Sequence, residues 1–140
     1  MRGQILLYKP EHNPSTVVFR EDFYLVPRQD GYLLAGSTLE DVGFDASTTD
    51  SVRDEIRAKA EALLPELQHQ PIIKHWSGLR PGTPENLPVI GPHPAVENLY
   101  LNTGHFRYGL TMGPGSASLV AALVCGEKPW TDPTPFSLPQ

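Results

Sequence analysis

The sequence predicts an α+β fold, in which a mixed, largely antiparallel sheet carries helices on one side. Short segments rich in β-branched and aromatic residues fill the first third of the chain and are separated by turn residues. A hairpin signal lies at Gln29-Asp30-Gly31, and residues 52–64 follow a helical period. These observations favour a sheet backed by one amphipathic helix.

The strands of this sheet are predicted from composition and from the turns between them. Residues 4–8 are apolar and end at a stretch that contains Pro10 and Pro14. Residues 16–20 are β-branched and aromatic, which predicts a second strand. Two further strands, 23–27 and 32–36, flank the hairpin turn, where a glycine can adopt positive φ.

The predicted helix begins after several N-cap candidates in residues 47–51. Its apolar residues recur on one face, while the charged residues lie mostly on the other. The apolar face consists of Val52, Ile56, Ala60, Leu63 and Leu64. Pro65 then ends the helix or starts its last turn.

The second half of the chain predicts two strands, an ordered loop and a helix. Residues 71–79 are typical of a strand, whereas residues 80–94 hold five prolines and two glycines and are predicted as a loop. Residues 98–102 predict a short buried strand, and residues 114–124 a helix of small residues. Residues 127–140 are predicted to be a surface tail.

Length, charge and cysteine content limit the class of protein. The 140 residues suit one domain or one lobe with an appendage, and an apolar share of 39% suits a modest core. A formal net charge of −5 argues against nucleic acid or an anionic membrane as the partner. No apolar run approaches the ~20 residues of a membrane span. The single cysteine, Cys125, forms no internal disulfide and is predicted to be buried in a helix, so we expect a cytoplasmic protein.

The first candidate site surrounds Arg80. This arginine follows a predicted strand and is bracketed by Gly78, Pro81 and Gly82, which hold the backbone firmly. A guanidinium fixed in this way is suited to bidentate capture of a carboxylate. A structural ion pair or a solvated position is the more common role of a loop arginine, and from the residues alone both interpretations stay open.

The second candidate site is residues 104–111, between a predicted strand and a predicted helix. The order strand, glycine turn, helix directs free backbone N–H groups and the positive end of the helix dipole toward one point, where anions are stabilised. An ordinary connection is the alternative, because no phosphate-loop consensus is present.

No metal site and no nucleophile are predicted. The five histidines lack the spacing of metal ligands. No serine or cysteine has the pattern of an activated nucleophile, so no catalytic residue is assigned.

Two longer motifs resemble the C-terminal signature of the D-amino-acid oxidase family of FAD-dependent oxidoreductases. The first occupies residues 75–92 and begins HWSGLRPGTP, and the second occupies residues 98–109 and ends TGHFRYG. Within the family the similarity to glycine oxidases is greatest, although these usually carry Asn where this chain has Tyr108. Residues 23–28 and 34–38 are similar to the substrate lobe of the family.

The resemblance implies that FAD takes a hydride from glycine, sarcosine or a small D-amino acid, which becomes an imine. It implies that Arg80 pairs with the substrate carboxylate, that Tyr24 adds a hydroxyl to it, and that Arg107 lies near the substrate. The cofactor-binding residues carried over from the family are Gly104, His105, Arg107, Tyr108, Gly109, Leu110 and Thr111.

The resemblance also divides the chain. Residues 1–80 match the substrate-binding lobe, residues 81–126 the C-terminal segment of the FAD-binding domain, and residues 127–140 the tail. The Gly-x-Gly-x-x-Gly loop of the family is absent. We therefore expect a separate N-terminal FAD-binding half as partner, and a fragment that alone is inactive and does not retain FAD. Exposed apolar surface would favour a homo-oligomer.

Two other functions stay open from the sequence. The chain could be a stand-alone carboxylate-binding or interaction module without redox activity. Alternatively, it could belong to a flavin amino-acid dehydrogenase that passes its electrons to a quinone rather than to oxygen.

Overall fold

The chain divides into two compact units, Met1–Leu79 and Arg80–Gln140, and the computed structural model describes residues 1–138. The first unit is a five-stranded sheet with a long helix, and the second is a two-stranded sheet with another long helix. Every strand pairing within the described residues is antiparallel. The predicted α+β class is therefore confirmed.

Five strands form the sheet of the first unit, and its order places the first strand of the chain between two later ones. The strands are β1 (Arg2–Tyr8), β2 (Val18–Arg20), β3 (Phe23–Pro27), β4 (Leu33–Gly36) and β5 (Lys74–Leu79). Their order across the sheet is β2-β3-β4-β1-β5. All five strands were predicted, and their ends differ from the prediction by up to three residues.

One helix packs against this sheet with the face that its sequence predicts. The helix is α1 (Asp50–Leu63), and a 3₁₀ helix (Pro65–His69) follows it. Ile56 and Ala60 are buried, while Val52, Leu63 and Leu64 pack against the same core at its margin. The sheet contributes Leu6, Tyr8, Phe23, Leu25, Leu33 and Ala35 to this core. Because a fully buried leucine contributes roughly 2 kcal/mol, these few side chains hold the unit together.

The hairpin of β3 and β4 confirms the predicted turn. The backbone N–H of Arg28 donates to the carbonyl of Tyr32 at 2.8 Å, and Gly31 has a φ of +83°. A residue without a Cβ adopts this φ at little cost, which explains the glycine. The turn fixes the register of the hairpin, in which Tyr24 lies opposite Gly36.

The hydroxyl of Tyr8 is a destabilising group in this core. Tyr8 has no exposed surface, and its hydroxyl oxygen has no hydrogen-bond partner among the described atoms. Burial raises the pKa of Tyr8 to about 12, while the charge of Arg57 lowers it and that of Glu61 raises it. A buried polar group without a partner costs free energy on folding.

We expect Tyr8→Phe to raise the free energy of unfolding by about 1 kcal/mol, because it removes the unpaired hydroxyl and keeps the ring. The pKa of Tyr8 in the folded protein lies above the ordinary value of 10.0, so the free energy of unfolding of the wild type falls as pH rises from 10.0 to about 12. The variant has no hydroxyl to ionise and does not show this fall. Urea unfolding followed by Trp76 fluorescence in a Trp130→Phe background measures both effects. A loss of stability in the variant would contradict the prediction.

The second unit contains a hairpin, a helix and the C-terminal segment. Strands β6 (Val89–Pro92) and β7 (Tyr100–Thr103) pair with each other, and α2 (Gly109–Cys125) contacts both. A short 3₁₀ helix (Thr134–Phe136) contacts β6, so the described part of the tail folds back on the hairpin. Neither α1 nor α2 combines the length and the hydropathy that crossing a bilayer requires, as judged over residues 1–138.

The prediction of a loop across residues 80–94 is wrong at β6. The prolines of this stretch suggested an irregular segment, but Pro88 lies just before the strand and Pro92 at its last position. A proline at a strand end gives up no essential ladder hydrogen bond, so it is compatible with pairing. The pairing partner, β7, lies in a later segment, and a local pattern does not reveal it.

The predicted start of α2 is also wrong, since the helix begins at Gly109 rather than near Pro114. Proline prefers the first helical turn, but Pro114 lies inside the helix, where it has no N–H to donate to the carbonyl of Leu110 four residues earlier. Leu119 is buried on α2, and the helix contacts both strands of the hairpin, so tertiary packing supports a helix that contains this proline.

The prediction that Cys125 is buried is wrong as well. Cys125 is a free, exposed thiol at the last residue of α2. Ser116 is buried on the same helix, and at 100° per residue Cys125 projects from the opposite side.

Candidate functional site

In the second unit, the loop that follows Arg80 and the turn that precedes α2 are hydrogen-bonded to each other. The backbone N–H of Phe106 donates to the carbonyl of Pro81 at 2.9 Å. Pro81 follows Arg80 directly, and Phe106 precedes Arg107. The bond therefore joins the two short backbone segments that carry the predicted site arginines. The side chain of Arg80 is half-buried, and that of Arg107 is exposed.

Gly104 allows this close approach. Its φ is +81°, and a Cβ at this position would lie 2.7 Å from Cγ2 of Thr83 and 3.5 Å from Cα of Pro88. Any larger residue would force the loop away, because such short carbon contacts are repulsive. The hydroxyl of Thr83 donates to the carbonyl of Leu87 at 2.7 Å and so stiffens the same loop. Glycine at 104 is thus required by both conformation and packing.

The N-terminal end of α2 presents backbone donors without a side-chain cap. Phe106 has a φ of +51°, which turns the chain sharply before the helix. Tyr108 is the N-cap residue, its side chain accepts no capping hydrogen bond, and the first turn contains no acidic residue. The first N–H groups of a helix have no partner within it, and with the helix dipole they favour a negative group. Leu110, in this turn, is 95% exposed.

Seven residues were predicted to bind the cofactor, and all of them lie in this turn or in the first turn of α2. The ring nitrogen Nε2 of His105 is buried and has no hydrogen-bond partner among residues 1–138. Arg107, Tyr108 and Thr111 are exposed, so their side chains can reach a ligand. The turn therefore combines uncapped backbone donors with an unpaired imidazole nitrogen.

Tyr24, the third predicted substrate-binding residue, lies in the first unit. It is half-buried on β3, and its hydroxyl donates to Oγ of Ser37 at 3.0 Å. Ser37 is the residue that follows β4, and it is only 7% exposed. Arg80 and Arg107 belong to the second unit.

A buried polar cluster in the first unit escaped prediction. Arg2 and Gln4 are buried, and both contact the carboxylate of Glu40. The Nη2 of Arg2 lies 2.7 Å from Oε2 of Glu40, and its Nη1 lies 2.8 Å from Oδ2 of Asp45. Nε2 of His75 lies 2.9 Å from Oε1 of Gln4. The cluster ties the loop between β4 and α1 to the start of β1.

One signal in the sequence could have revealed this cluster. Side chains alternate between the faces of a strand, so Arg2 and Gln4 share a face with Leu6 and Tyr8, which are core residues. Polar residues on a core face require partners, and this requirement predicts a buried network.

Glu40 remains ionised within the cluster. Burial by itself would raise the pKa of Glu40, but hydrogen bonds from Arg2, Thr38 and Gln4 outweigh it and hold the pKa below the ordinary value. The guanidinium of Arg2 is held charged by the same contact, which raises its pKa. The pair is thus a permanent ion pair at neutral pH.

No metal centre is found among residues 1–138, because no three histidine, cysteine or acidic side chains are close enough to hold an ion.

Comparison with known proteins gives the class of this protein. The model of the FAD dependent oxidoreductase family matches residues 1–123. Glycine oxidase of Pseudomonas aeruginosa is 46% identical over 139 residues, a match that covers 98% of this chain and 38% of that protein. The chain therefore spans little more than a third of that relative's length.

Two solved structures have the same fold. Glycine oxidase from Geobacillus kaustophilus matches with a TM-score of 0.90 and 30% identity, over 99% of this chain and 38% of that one. Iminodiacetate oxidase from Chelativorans sp. BNC1 matches with a TM-score of 0.87 and 26% identity, over 97% of this chain and 38% of that one. The chain belongs to the FAD dependent oxidoreductase family, and it is similar to part of a glycine oxidase.

The residues at the N-terminal end of α2 fit the cofactor of this family. A flavin presents carbonyl oxygens and ring nitrogens, which accept hydrogen bonds and become more negative on reduction. Uncapped helix N–H groups and the exposed hydroxyl of Thr111 form a donor set that suits such a group.

Proposed function

We propose that this chain supplies the substrate-binding lobe and part of the flavin site of an FAD-dependent oxidase. The substrate is glycine, sarcosine or a small D-amino acid, and the product is an imine. The backbone hydrogen bond between Phe106 and Pro81 carries this proposal, because it couples the segment after Arg80 to the flavin-binding turn. Relatives whose names state glycine and iminodiacetate as substrates support it, since both molecules carry an amine next to a carboxylate.

Arg80 is the residue that we assign to the substrate carboxylate. Its backbone is held by Pro81, which accepts the hydrogen bond from Phe106, and its side chain is half-buried. A partly desolvated guanidinium forms stronger charge-assisted hydrogen bonds than an exposed one, and its planar fork fixes the orientation of a carboxylate. Holding the carboxylate limits the positions that the substrate Cα–H can take.

Two further residues complete the proposed substrate set. The hydroxyl of Tyr24 donates a further hydrogen bond to the substrate carboxylate, beside those of Arg80. Ser37 orients this hydroxyl. Arg107 lies next to the hydrogen-bonded Phe106 and is exposed, so it contributes positive charge near the substrate. No side chain is needed as a nucleophile.

The flavin-binding role is assigned to the turn from Gly104 to Thr111. FAD, when bound, supplies the chemistry by accepting a hydride from the substrate Cα. The N–H groups of Gly109, Leu110 and Thr111 at the start of α2 stabilise negative charge, and the helix dipole adds to this effect. The dinucleotide is held by a part of the enzyme outside this chain, so this chain alone does not retain FAD.

A chimera tests the proposed function. This chain replaces the segment that it matches in Pseudomonas aeruginosa glycine oxidase, and the purified chimera is assayed for bound flavin and for oxygen consumption. We expect bound FAD, and oxygen consumption with glycine, sarcosine or a small D-amino acid. The chain without the rest of the enzyme is the matched control and should bind no flavin.

Three results would contradict the proposal. A folded chimera without FAD would refute the flavin-binding role of residues 104–111. A chimera that binds FAD but oxidises none of these substrates would refute the substrate assignment. Reduction of a quinone by substrate without consumption of oxygen would favour the dehydrogenase instead.

A further inference from the structure

The hydroxyl of Tyr24 has a fixed partner in the first unit. Tyr24 lies opposite Gly36 in the register of β3 and β4, and its hydroxyl donates to Oγ of Ser37 at 3.0 Å. Gly36 is packed tightly, because a Cβ there would lie 2.8 Å from Cγ1 of Ile5. Gly36 also lies opposite Ile5 of β1, so strand pairing on both sides holds the backbone that leads into Ser37.

The residue after Ser37 is also anchored. Oγ1 of Thr38 accepts a hydrogen bond from the N–H of Gln4 at 2.9 Å and donates to Oε1 of Glu40 at 2.6 Å. Glu40 is in turn held by the buried Arg2. Ser37 is thus fixed on both sides, by the sheet before it and by the buried polar cluster after it.

This arrangement matters because a tyrosine hydroxyl has a single proton. If Tyr24 donates that proton to a carboxylate, it no longer donates to Ser37. A serine hydroxyl is both donor and acceptor, so the pair can reverse its direction, and Ser37 then donates to Tyr24. Hydrogen bonds in such a chain polarise one another, and the bond to the anion becomes stronger.

We propose that Ser37 is a positioning residue for substrate binding, which orients the hydroxyl of Tyr24 and donates to it when Tyr24 donates to the substrate carboxylate. The inference rests on the proposed function, since it requires that Tyr24 contacts the substrate. It goes further than that function, because it assigns a role to Ser37, the first residue of the loop after β4. It also explains what the buried polar cluster around Arg2 does, since that cluster holds the loop next to Ser37.

A double-mutant cycle in the FAD-loaded chimera tests this inference. Ser37→Ala is expected to raise KM for glycine about fivefold with kcat nearly unchanged, the loss typical of one hydrogen bond. In a Tyr24→Phe background the same substitution should change KM by less than about twofold, because the two residues act as one unit. Ser37→Cys has nearly the same volume but is a weak donor, and it should raise KM as Ser37→Ala does.

Ser77→Ala is the matched control. The hydroxyl of Ser77 donates to the carbonyl of Ala46 in the loop between β4 and α1, which also contains Ser37. Ala46 lies later in that loop than Ser37 and is not bonded to Tyr24 by this contact. We expect its KM to equal that of the parent chimera. An equal increase of KM in Ser77→Ala and Ser37→Ala would mean that general loosening of the loop causes the effect, and it would overturn the inference.

The remaining outcomes separate this inference from the proposed function. If Tyr24→Phe leaves KM unchanged, the substrate role of Tyr24 is wrong and the inference falls with it. If Tyr24→Phe raises KM while Ser37→Ala and Ser37→Cys do not, the role of Tyr24 stands and only the positioning role of Ser37 is wrong.

Discussion

Arg80→Ala in the FAD-loaded chimera is expected to raise KM for glycine about 100-fold. In the proposed role of Arg80, the substitution removes two charge-assisted hydrogen bonds to the substrate carboxylate, and truncating one partner of a desolvated charge pair costs roughly 2–5 kcal/mol. Since about 1.4 kcal/mol corresponds to a factor of ten, the lower part of that range already gives the expected effect. Steady-state oxygen consumption across a range of glycine concentrations measures it.

Two control variants sharpen this test. Arg80→Lys keeps the positive charge but loses the planar fork, so its KM should lie between those of the parent and of Arg80→Ala. Arg28→Ala removes an exposed arginine whose Nε lies 3.6 Å from Oδ2 of Asp30, and it should leave KM unchanged. An unchanged KM in Arg80→Ala would exclude the carboxylate-binding role of this residue.

The second large effect is on stability, and it comes from Glu40. We expect Glu40→Ala to lower the free energy of unfolding by about 3 kcal/mol, because it leaves the guanidinium of Arg2 buried without its closest partner. Gln4, which is fully buried, also loses an acceptor. Urea unfolding of the chain, followed by Trp76 fluorescence with Trp130 replaced by phenylalanine, measures the change in the first unit.

Glu55→Ala is the matched control for this measurement. Glu55 forms an ion pair with Lys59 at 2.7 Å, but about half of each side chain is exposed. Exposed pairs on a helix contribute only about 0.3–0.5 kcal/mol. Equal losses in Glu40→Ala and Glu55→Ala would mean that burial of the Arg2 cluster contributes little to stability.

The pH dependence follows from the lowered pKa of Glu40. Its folded pKa lies below the ordinary value of 4.5, so ionised Glu40 stabilises the fold above that pH, and this contribution is lost as pH falls through the folded pKa. The stability difference between the wild type and Glu40→Gln should therefore shrink below pH about 4.5. A difference that stays constant from neutral to acidic pH would contradict this account.

The elements that local patterns govern were predicted correctly. The core-facing side of α1 was identified from the spacing of Val52, Ile56 and Ala60. A helix repeats every 3.6 residues, so apolar residues at this spacing lie on one face, which packs against the core. Gly31 revealed the hairpin, since the turn requires a φ that few other residues adopt. The roles of Arg80, Tyr24 and Arg107 remain predictions that the chimera tests.

By itself, then, the sequence determined the α+β class, the amphipathic face of α1, the β3–β4 turn and the family. The tertiary structure alone decided the pairing of β6 with β7, the early start of α2, the bond from Phe106 to Pro81 and the buried cluster around Arg2. The physical reason is sequence separation: Arg2 lies 38 positions from Glu40 and 43 from Asp45, and no local pattern encodes such partners. Burial against distant segments selects these contacts, and it overrides the local preferences of residues such as Pro92 and Pro114.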